Sequence, residues 1–179
     1  MKIDRIHHVA YRCRDAKETV LWYRRMLNMD FLLAIAEDHV PSTKAPDPYM
    51  HVFLDAGGGN VLAFFELPTQ PPMGRDPNTP EWVQHIALRV QDRETLLAFK
   101  GHLEREGVDV LGVTDHGAFH SIYFFDPNGH RVELACPDPQ EEAIHRRLDA
   151  VKWDMLEEWS KTRRAPRHAA FLHQREFKS

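Results

Sequence analysis

Cysteine, long apolar runs and an excess of one charge are all scarce in this sequence of 179 residues. Two cysteines, Cys13 and Cys136, are too few for a disulfide scaffold and indicate ordinary reduced thiols. No apolar run approaches the roughly 20 residues of a membrane span, and the N-terminus lacks an apolar signal region, so we expect a cytoplasmic protein with no membrane contact. A formal net charge of -4 gives no reason to expect nucleic acid as a partner.

What the sequence does contain is typical of a globular chain. Hydrophobic residues make up 42% and charged residues 28%, enough to bury a core in one domain. Histidine is unusually frequent, with twelve residues. That count directs the search for function toward metal binding and acid-base chemistry.

The chain contains an internal repeat. The segment HVAYRCRDAKETVLWY at 8–23 matches HIALRVQDRETLLAF at 85–99, which pairs His8 with His85 and Ala10 with Ala87. Further along, HVFLDAGG at 51–58 is similar to IYFFDPNG at 122–129, and FFELP at 64–68 is similar to RVELA at 131–135. Each half therefore predicts one β-α-β-β-β module, and two such modules must pair to bury a core.

Alternation and capping signals predict the elements of an α+β fold built from two tandem modules. The first module predicts strands at 6–13, 31–37, 50–54 and 60–67 with a helix at 15–27. The second predicts strands at 83–90, 108–113, 121–125 and 131–135 with a helix at 93–105. The expected organisation is one domain at 1–137 (module one 4–67, proline-rich linker 68–81, module two 82–136), then an amphipathic helix at 138–160 and a basic tail at 161–179.

The predicted C-terminal helix has an apolar stripe at helical spacing. Its members are Ile144, Leu148, Val151, Met155 and Trp159. The stripe can pack on the chain's own sheet or form an interface, and a single-domain chain of this kind is expected to form a homodimer.

Four acidic or imidazole side chains are predicted to share one face of the sheet. By strand alternation, His8 and His85 lie opposite the aliphatic residues of their strands, and Glu66 and Glu133 lie opposite their large apolar neighbours. Two imidazoles with a carboxylate form a facial triad that suits a divalent first-row metal, especially Fe(II). Eight other histidines are interpreted as structural or surface residues: His7, His39, His51, His102, His130, His145, His168 and His173.

These motifs resemble a known family. The segments IHHVA at 6–10, HIALRV at 85–90 and DPNGHRVEL at 126–134 are similar to the vicinal oxygen chelate superfamily, which includes glyoxalase I, fosfomycin-resistance enzymes, methylmalonyl-CoA epimerases and extradiol dioxygenases. The resemblance implies paired β-α-β-β-β units that form a cupped mixed sheet around a divalent metal site. A small-molecule substrate is then expected to chelate the metal through two neighbouring oxygens. It does not fix the reaction.

Within the superfamily, DHGAFHSIYFFDPNG at 115–129 is most similar to the extradiol catechol dioxygenases. The resemblance implies that Tyr123 hydrogen-bonds a bound catecholate, with His116 or His120 moving a proton. The implied activity is Fe(II)-dependent ring cleavage beside the hydroxyls of a catechol, with His8, His85 and Glu133 as metal ligands.

Other activities of the superfamily remain open. Glu66 matches the fourth ligand of glyoxalase I and Arg12 matches its glutathione-binding arginine, which implies an isomerase with a glutamate base and a Zn or Ni centre. Mn is a further alternative to Fe(II). A thiol transferase of the fosfomycin-resistance type shares the SIYF-x-DP pattern. Bleomycin-resistance-type members bind a drug without a catalytic metal, but they lack the ligand set found here.

Overall fold

The computed structural model describes residues 2–170, and its elements follow the predicted repeat. They are β1 Val9–Cys13, α1 Ala16–Leu27, β2 Phe31–His39, β3 Pro46–Asp55, β4 Val61–Glu66, β5 His85–Arg89, α2 Arg93–Arg105, β6 Leu111–Asp115, β7 Phe119–Phe125, β8 Arg131–Pro137 and α3 Glu141–Thr162. A short 3-10 helix, Arg167–Ala169, follows. The two β-α-β-β-β modules and the C-terminal helix are thus confirmed, and part of the predicted basic tail, 171–179, lies outside the described residues.

The hairpin of the first module is longer than its sequence suggests. The predicted strands at 31–37 and 50–54 leave residues 38–49 between them, but β2 extends to His39 and β3 begins at Pro46, with Glu37 opposite Tyr49. Polar residues can occupy these positions because β2 is an edge strand, exposed along its whole length.

The chain forms two compact units. The first unit contains a four-stranded sheet in the order β1-β4-β3-β2, with β1 parallel to β4. Helix α1 packs on one face of it, where Tyr23 lies 5.1 Å from Phe64 between ring centroids and both side chains are fully buried. Asp15 starts the helix, since its carboxylate accepts a hydrogen bond from the Glu18 amide at 2.7 Å.

The first unit also includes the Asp126-Pro127-Asn128-Gly129 turn, which binds to α1. Tyr23 donates to Asp126 at 3.1 Å, Asn128 donates to Thr19 at 3.1 Å, and the Arg14 amide donates to Asn128 at 2.9 Å. Asp126 and Asn128 are nearly completely buried, so these polar contacts satisfy groups that water does not reach. The turn motif therefore has a structural role at this helix.

The second unit contains the sheet β5-β8-β7-β6. Helix α2 supplies Leu96 and Leu103 to its core, both fully buried. The sheet supplies Ile122 and Phe124 from β7, and the alternate residues of β8 that are buried with them are Val132, Leu134 and Cys136. The residues between them, Ser121, Tyr123 and Glu133, are thereby left on the face of the sheet away from α2.

Helix α3 buries little of its surface. Ile144 is buried, whereas the other members of the predicted stripe are half-buried or exposed. Its strongly exposed apolar residues are Trp153, Leu156 and Trp159. In the part of the chain that the structure describes, no helix is both long and apolar enough to cross a membrane.

Candidate functional site

The first sheet has an open face, on the side away from α1, that groups His8 with aromatic side chains. Cross-strand register places Ala10 opposite Ala63, Ala63 opposite Phe53, and Phe65 opposite His51, all on this face. The ring of His8 lies 5.7 Å from that of Phe53 and 5.9 Å from that of His51. The small alanine side chains leave room for His8 to reach across the sheet.

His51 is a functional candidate that sequence reasoning missed. Its ring stacks on Phe65 at 3.6 Å, its side chain is only 8% exposed, and among the described residues its Nε2 has no hydrogen-bond partner. Burial, and secondarily the neighbouring His8, lowers the pKa of His51, which favours the neutral imidazole. Alternation on β3 could have placed it on the open face, but its proximity to His8 depends on the pairing of three strands.

Both predicted histidine ligands are held through Nδ1. The Val83 carbonyl accepts from Nδ1 of His85 at 3.0 Å, so Nε2 of that ring carries the lone pair. Nδ1 of His8 lies 2.8 Å from Nδ1 of His7. Fixing one ring nitrogen in this way orients the other toward a metal in many metal sites.

The open face of the second sheet holds a hydrogen-bonded chain of predicted site residues. Ser121 and Tyr123 both donate to Oε1 of Glu133, the latter at 3.2 Å, and Nε2 of His116 lies 2.8 Å from the Tyr123 hydroxyl. Glu133 is 3% exposed, and Ser121 is fully buried. Three residues named from the sequence, Glu133, Tyr123 and His116, are therefore brought together in one unit.

His120 is not part of this chain. It alternates with Ser121 and Tyr123 on β7 and so shares the α2 side of the sheet with Ile122 and Phe124. Its Nε2 lies 3.8 Å from a carboxylate oxygen of Asp115. The side chains of His120 and Tyr123 therefore point to opposite faces of the sheet, and the proton-transfer role of His120 stays a prediction.

The strand register also separates Glu66 from Glu133. In the first sheet Cys13 lies opposite Glu66 and Ala10 opposite Ala63. In the second, the Val90 amide donates to the Ala135 carbonyl at 2.8 Å, which places Val90 opposite Cys136 and hence Ala87 opposite Glu133. Since Ala10 and Ala87 are repeat equivalents, the position of Glu133 is taken in the first sheet by Ala63.

Glu66 instead lies on the α1 side of its sheet, with Leu62 and Phe64. Its Oε2 accepts a hydrogen bond from the Ala16 amide at 2.7 Å, at the first turn of α1. A carboxylate there satisfies an amide that has no partner within the helix and interacts favourably with the helix dipole. The expectation that Glu66 shares a face with His8 is wrong, because Glu66, which aligns with Glu133 in sequence, lies three positions beyond the structural equivalent of Glu133, Ala63, and an odd shift exchanges the faces of a strand.

The donor types present fit a divalent metal. Two imidazoles held through Nδ1 and one buried carboxylate are nitrogen and oxygen ligands of the kind that first-row ions take. Within residues 2–170, however, no group of three His, Cys, Asp or Glu side chains is arranged to hold an ion. His8, His85 and Glu133 therefore stay a predicted ligand set.

A cavity of about 240 Å³ in the first unit is lined by His85. Its other walls include Tyr11, His130 and Arg131, and the linker residues Arg75 and Glu81. Arg75 pairs with Glu81 and lies 4.9 Å above the ring of Phe125. The cavity thus gives His85 a partly enclosed neighbourhood that contains both apolar and charged groups.

Comparison with protein families identifies a match over most of the chain. A family model described as the Glyoxalase/Bleomycin resistance protein/Dioxygenase superfamily matches residues 5–134. Among curated proteins, the chain is 28% identical over 142 residues to "Putative ring-cleaving dioxygenase MhqA" of Bacillus subtilis (strain 168), a match that covers 77% of this chain. It spans 42% of that relative's length.

Solved structures share the fold at low sequence identity. The fosfomycin resistance protein FosX of Listeria monocytogenes, complexed with Mn(II) and sulfate, is 18% identical with a TM-score of 0.57, covering 79% of this chain and 99% of its own. A glyoxylase/bleomycin resistance protein/dioxygenase domain from Frankia sp. EAN1pec is 16% identical with a TM-score of 0.60, covering 76% and 100%. The antibiotic binding protein TnmS3 from Streptomyces sp. CB03234 is 21% identical with a TM-score of 0.56, covering 77% and 99%.

Proposed function

The chain belongs to the Glyoxalase/Bleomycin resistance protein/Dioxygenase superfamily, and on that premise we propose that it is a metal-dependent, extradiol-type ring-cleaving dioxygenase acting on a catecholic small molecule. The observation that carries the proposal is the Glu133–Tyr123–His116 hydrogen-bonded chain. The name of the Bacillus subtilis relative agrees with this reaction class.

We propose His8, His85 and Glu133 as the metal ligands, with Fe(II) as the ion. Members of the superfamily are usually metal-dependent enzymes, and FosX is a relative in fold whose structure holds Mn(II). When bound, Fe(II) supplies the redox chemistry that joins dioxygen to an electron-rich ring. The Ser121 and Tyr123 hydroxyls hold Oε1 of Glu133 and so fix the orientation of that carboxylate.

Tyr123 and His116 form the proposed proton path. The Tyr123 hydroxyl lies within hydrogen-bond reach of both Glu133 and His116, so it can donate to one while accepting from the other. A substrate hydroxyl that replaces one of these contacts can pass its proton toward His116.

His51 is a second proposed acid-base group. Its neutral imidazole has a buried Nε2 that can accept a proton, and its ring is fixed by stacking on Phe65. The aromatic neighbours Phe53 and Phe65 offer an apolar surface on which an aromatic ring can pack and from which water is excluded. These features support a flat, aromatic substrate.

A glyoxalase I-like isomerase is less well supported by the geometry. That reaction requires a fourth ligand and a glutamate base, and the matching residue, Glu66, is bound to the first turn of α1 instead. A thiol transferase of the fosfomycin-resistance type needs only the three proposed ligands, so it is the activity from which the dioxygenase must be separated by experiment.

The proposal is tested by anaerobic reconstitution with Fe(II), followed by oxygen uptake with a panel of catechols. We expect uptake of one dioxygen per catechol and the appearance of a ring-opened product absorbing in the visible range. Turnover of a hemithioacetal with Zn or Ni, or thiol addition to an epoxide with Mn, in the absence of oxygen uptake with every catechol, would overturn it. Reconstitution of the Glu133→Ala variant serves as the metal-free control.

A further inference from the structure

Helix α3 carries an apolar face that the described chain leaves uncovered. Trp153, Leu156 and Trp159 are 72%, 59% and 45% exposed and follow one another at a spacing of three residues. The 3-10 helix Arg167–Ala169 is held at Glu158, whose carboxylate binds His168 at 3.1 Å. Glu158 points away from Leu156, since two residues along a helix correspond to a turn of about 200°.

This face is symmetric about Leu156. Trp153 and Trp159 are three residues before and after it, and lie about 60° to either side of its direction. The three apolar residues of the face, in the order Trp-Leu-Trp, are the same in both directions along the helix. When a second α3 is laid antiparallel on the first with the two Leu156 residues in contact, Trp153 of one copy is level with Trp159 of the other.

The charges around this face are complementary in the same arrangement. Asp149 and Arg163 lie seven residues before and after Leu156, so they come to the same level when two helices run antiparallel about Leu156. Asp149 lies within about 20° of the direction of Leu156, and Arg163 is the C-cap residue directly after α3. In an antiparallel pair, each Asp149 therefore faces Arg163 of the other copy. Lys152 faces the neutral Ser160. Asp149 already forms an ion pair with Lys152 of its own helix at 2.5 Å. Both side chains are more than half exposed, so this pair adds little stability and competes only weakly with an ion pair between Asp149 and Arg163 of the other copy.

We propose that a second copy of this chain covers this face, through antiparallel pairing of two α3 helices about a two-fold axis at Leu156. A parallel pair would place Asp149 beside Asp149 and align the two helix dipoles, and both effects are unfavourable. The antiparallel pair removes four tryptophans and two leucines from water and matches charge at both ends. Such a closed, isologous contact is the commonest way for identical chains to associate.

The first test is sedimentation equilibrium of the full chain between about 1 and 100 μM, a range suited to a contact of this modest size. We expect a reversible monomer–dimer equilibrium. Leu156→Glu should raise the dissociation constant at least about tenfold, since it places two carboxylates on the axis. Ala150→Glu, exposed on the same helix but about 120° from Leu156, should leave it unchanged.

A charge exchange tests the register. Asp149→Arg should weaken the dimer because two arginines then face each other, and adding Arg163→Asp should restore the original dissociation constant. Mild oxidation of Leu156→Cys should give a disulfide-linked dimer, whereas Ala150→Cys should not, and both native thiols are buried.

Three results would overturn the proposal. The chain could stay monomeric over the whole concentration range, or Leu156→Glu could leave the dissociation constant of the dimer unchanged. The third result is that adding Arg163→Asp to Asp149→Arg fails to restore the original dissociation constant. A monomeric chain that binds vesicles of anionic phospholipid through the same tryptophans would assign the face to a membrane surface instead. None of these outcomes depends on which reaction the site catalyses.

Discussion

Ala63 and Glu133 occupy equivalent positions in the two sheets. Ala63 lies opposite Ala10 in the first, and Glu133 lies opposite the repeat-equivalent Ala87 in the second. The repeat therefore places a carboxylate at this position of one open face and a methyl group at the same position of the other. The metal site is accordingly expected to use one glutamate, although the sequence offers two.

Removal of Glu66 should affect stability and leave metal binding unchanged. Glu66→Ala deprives the Ala16 amide of its acceptor at the start of α1, so the free energy of unfolding should fall by about 1 kcal/mol. Metal content after reconstitution should equal that of the unmodified protein. Urea unfolding and metal analysis measure the two effects, with Glu133→Ala as the variant that loses metal; equal metal loss from both variants would restore Glu66 as a ligand.

Tyr123→Phe should keep the metal and lose turnover. The substitution removes the hydroxyl that joins Glu133 to His116 but keeps the ring and the bond from Ser121 to Glu133. We expect kcat for a catechol to fall about 100-fold, within the range usual for a lost proton-transfer group, with unchanged metal content. Tyr49→Phe, on β3, is the matched control, and equal rates for Tyr123→Phe would argue for another reaction.

His51→Phe should separate the acid-base role of His51 from its packing role. Phenylalanine preserves an aromatic ring on Phe65, so the stability of the fold should change little. The value of kcat should fall at least about tenfold and KM should stay close to its original value, because the lost group moves a proton and does not anchor the substrate. The exposed His39, changed to Phe, provides the comparison; a rise in KM alone would mean that His51 only binds substrate.

The buried thiol of Cys13 should make the fold sensitive to alkali. Burial raises the pKa of Cys13 to about 11, against 9.0 for an ordinary thiol, and the bond with Thr19 only partly offsets this. A pKa that is raised on folding contributes stability that is complete below about pH 9 and is lost as the pH rises through about 11. The unfolding free energy of Cys13→Ala should therefore fall less steeply between these pH values, and an unchanged slope would mean that the thiol is not involved.

Tyr23→Phe should measure how strongly the Asp126 turn is attached to α1. The variant removes one hydrogen bond to a buried carboxylate that also accepts from Asn128 and His130. We expect a loss of about 1 to 2 kcal/mol of unfolding free energy, since the donor is removed and the charge stays buried. Thermal unfolding with and without the substitution, beside Tyr49→Phe, measures the effect; no change would show that the remaining donors suffice.

The sequence by itself determined what depends on local periodicity. Alternation in RVELA and SIYFF identified Glu133 and Tyr123 on one face of the sheet, because the side chains of a strand alternate whatever its partner. Asp15, followed by Glu18, marked the start of α1 in the same local way. Repetition of these signals determined the two β-α-β-β-β modules.

The tertiary structure decided what depends on register between strands. Glu66 and Glu133 align in sequence, but Glu66 lies three positions beyond Ala63, the structural equivalent of Glu133, and therefore points toward α1, because a shift by an odd number of residues exchanges the faces of a strand. His51 resembled any other strand histidine until the pairing of three strands brought it beside His8. Register is a non-local property, and it selects which of the chain's many histidines and carboxylates can act together.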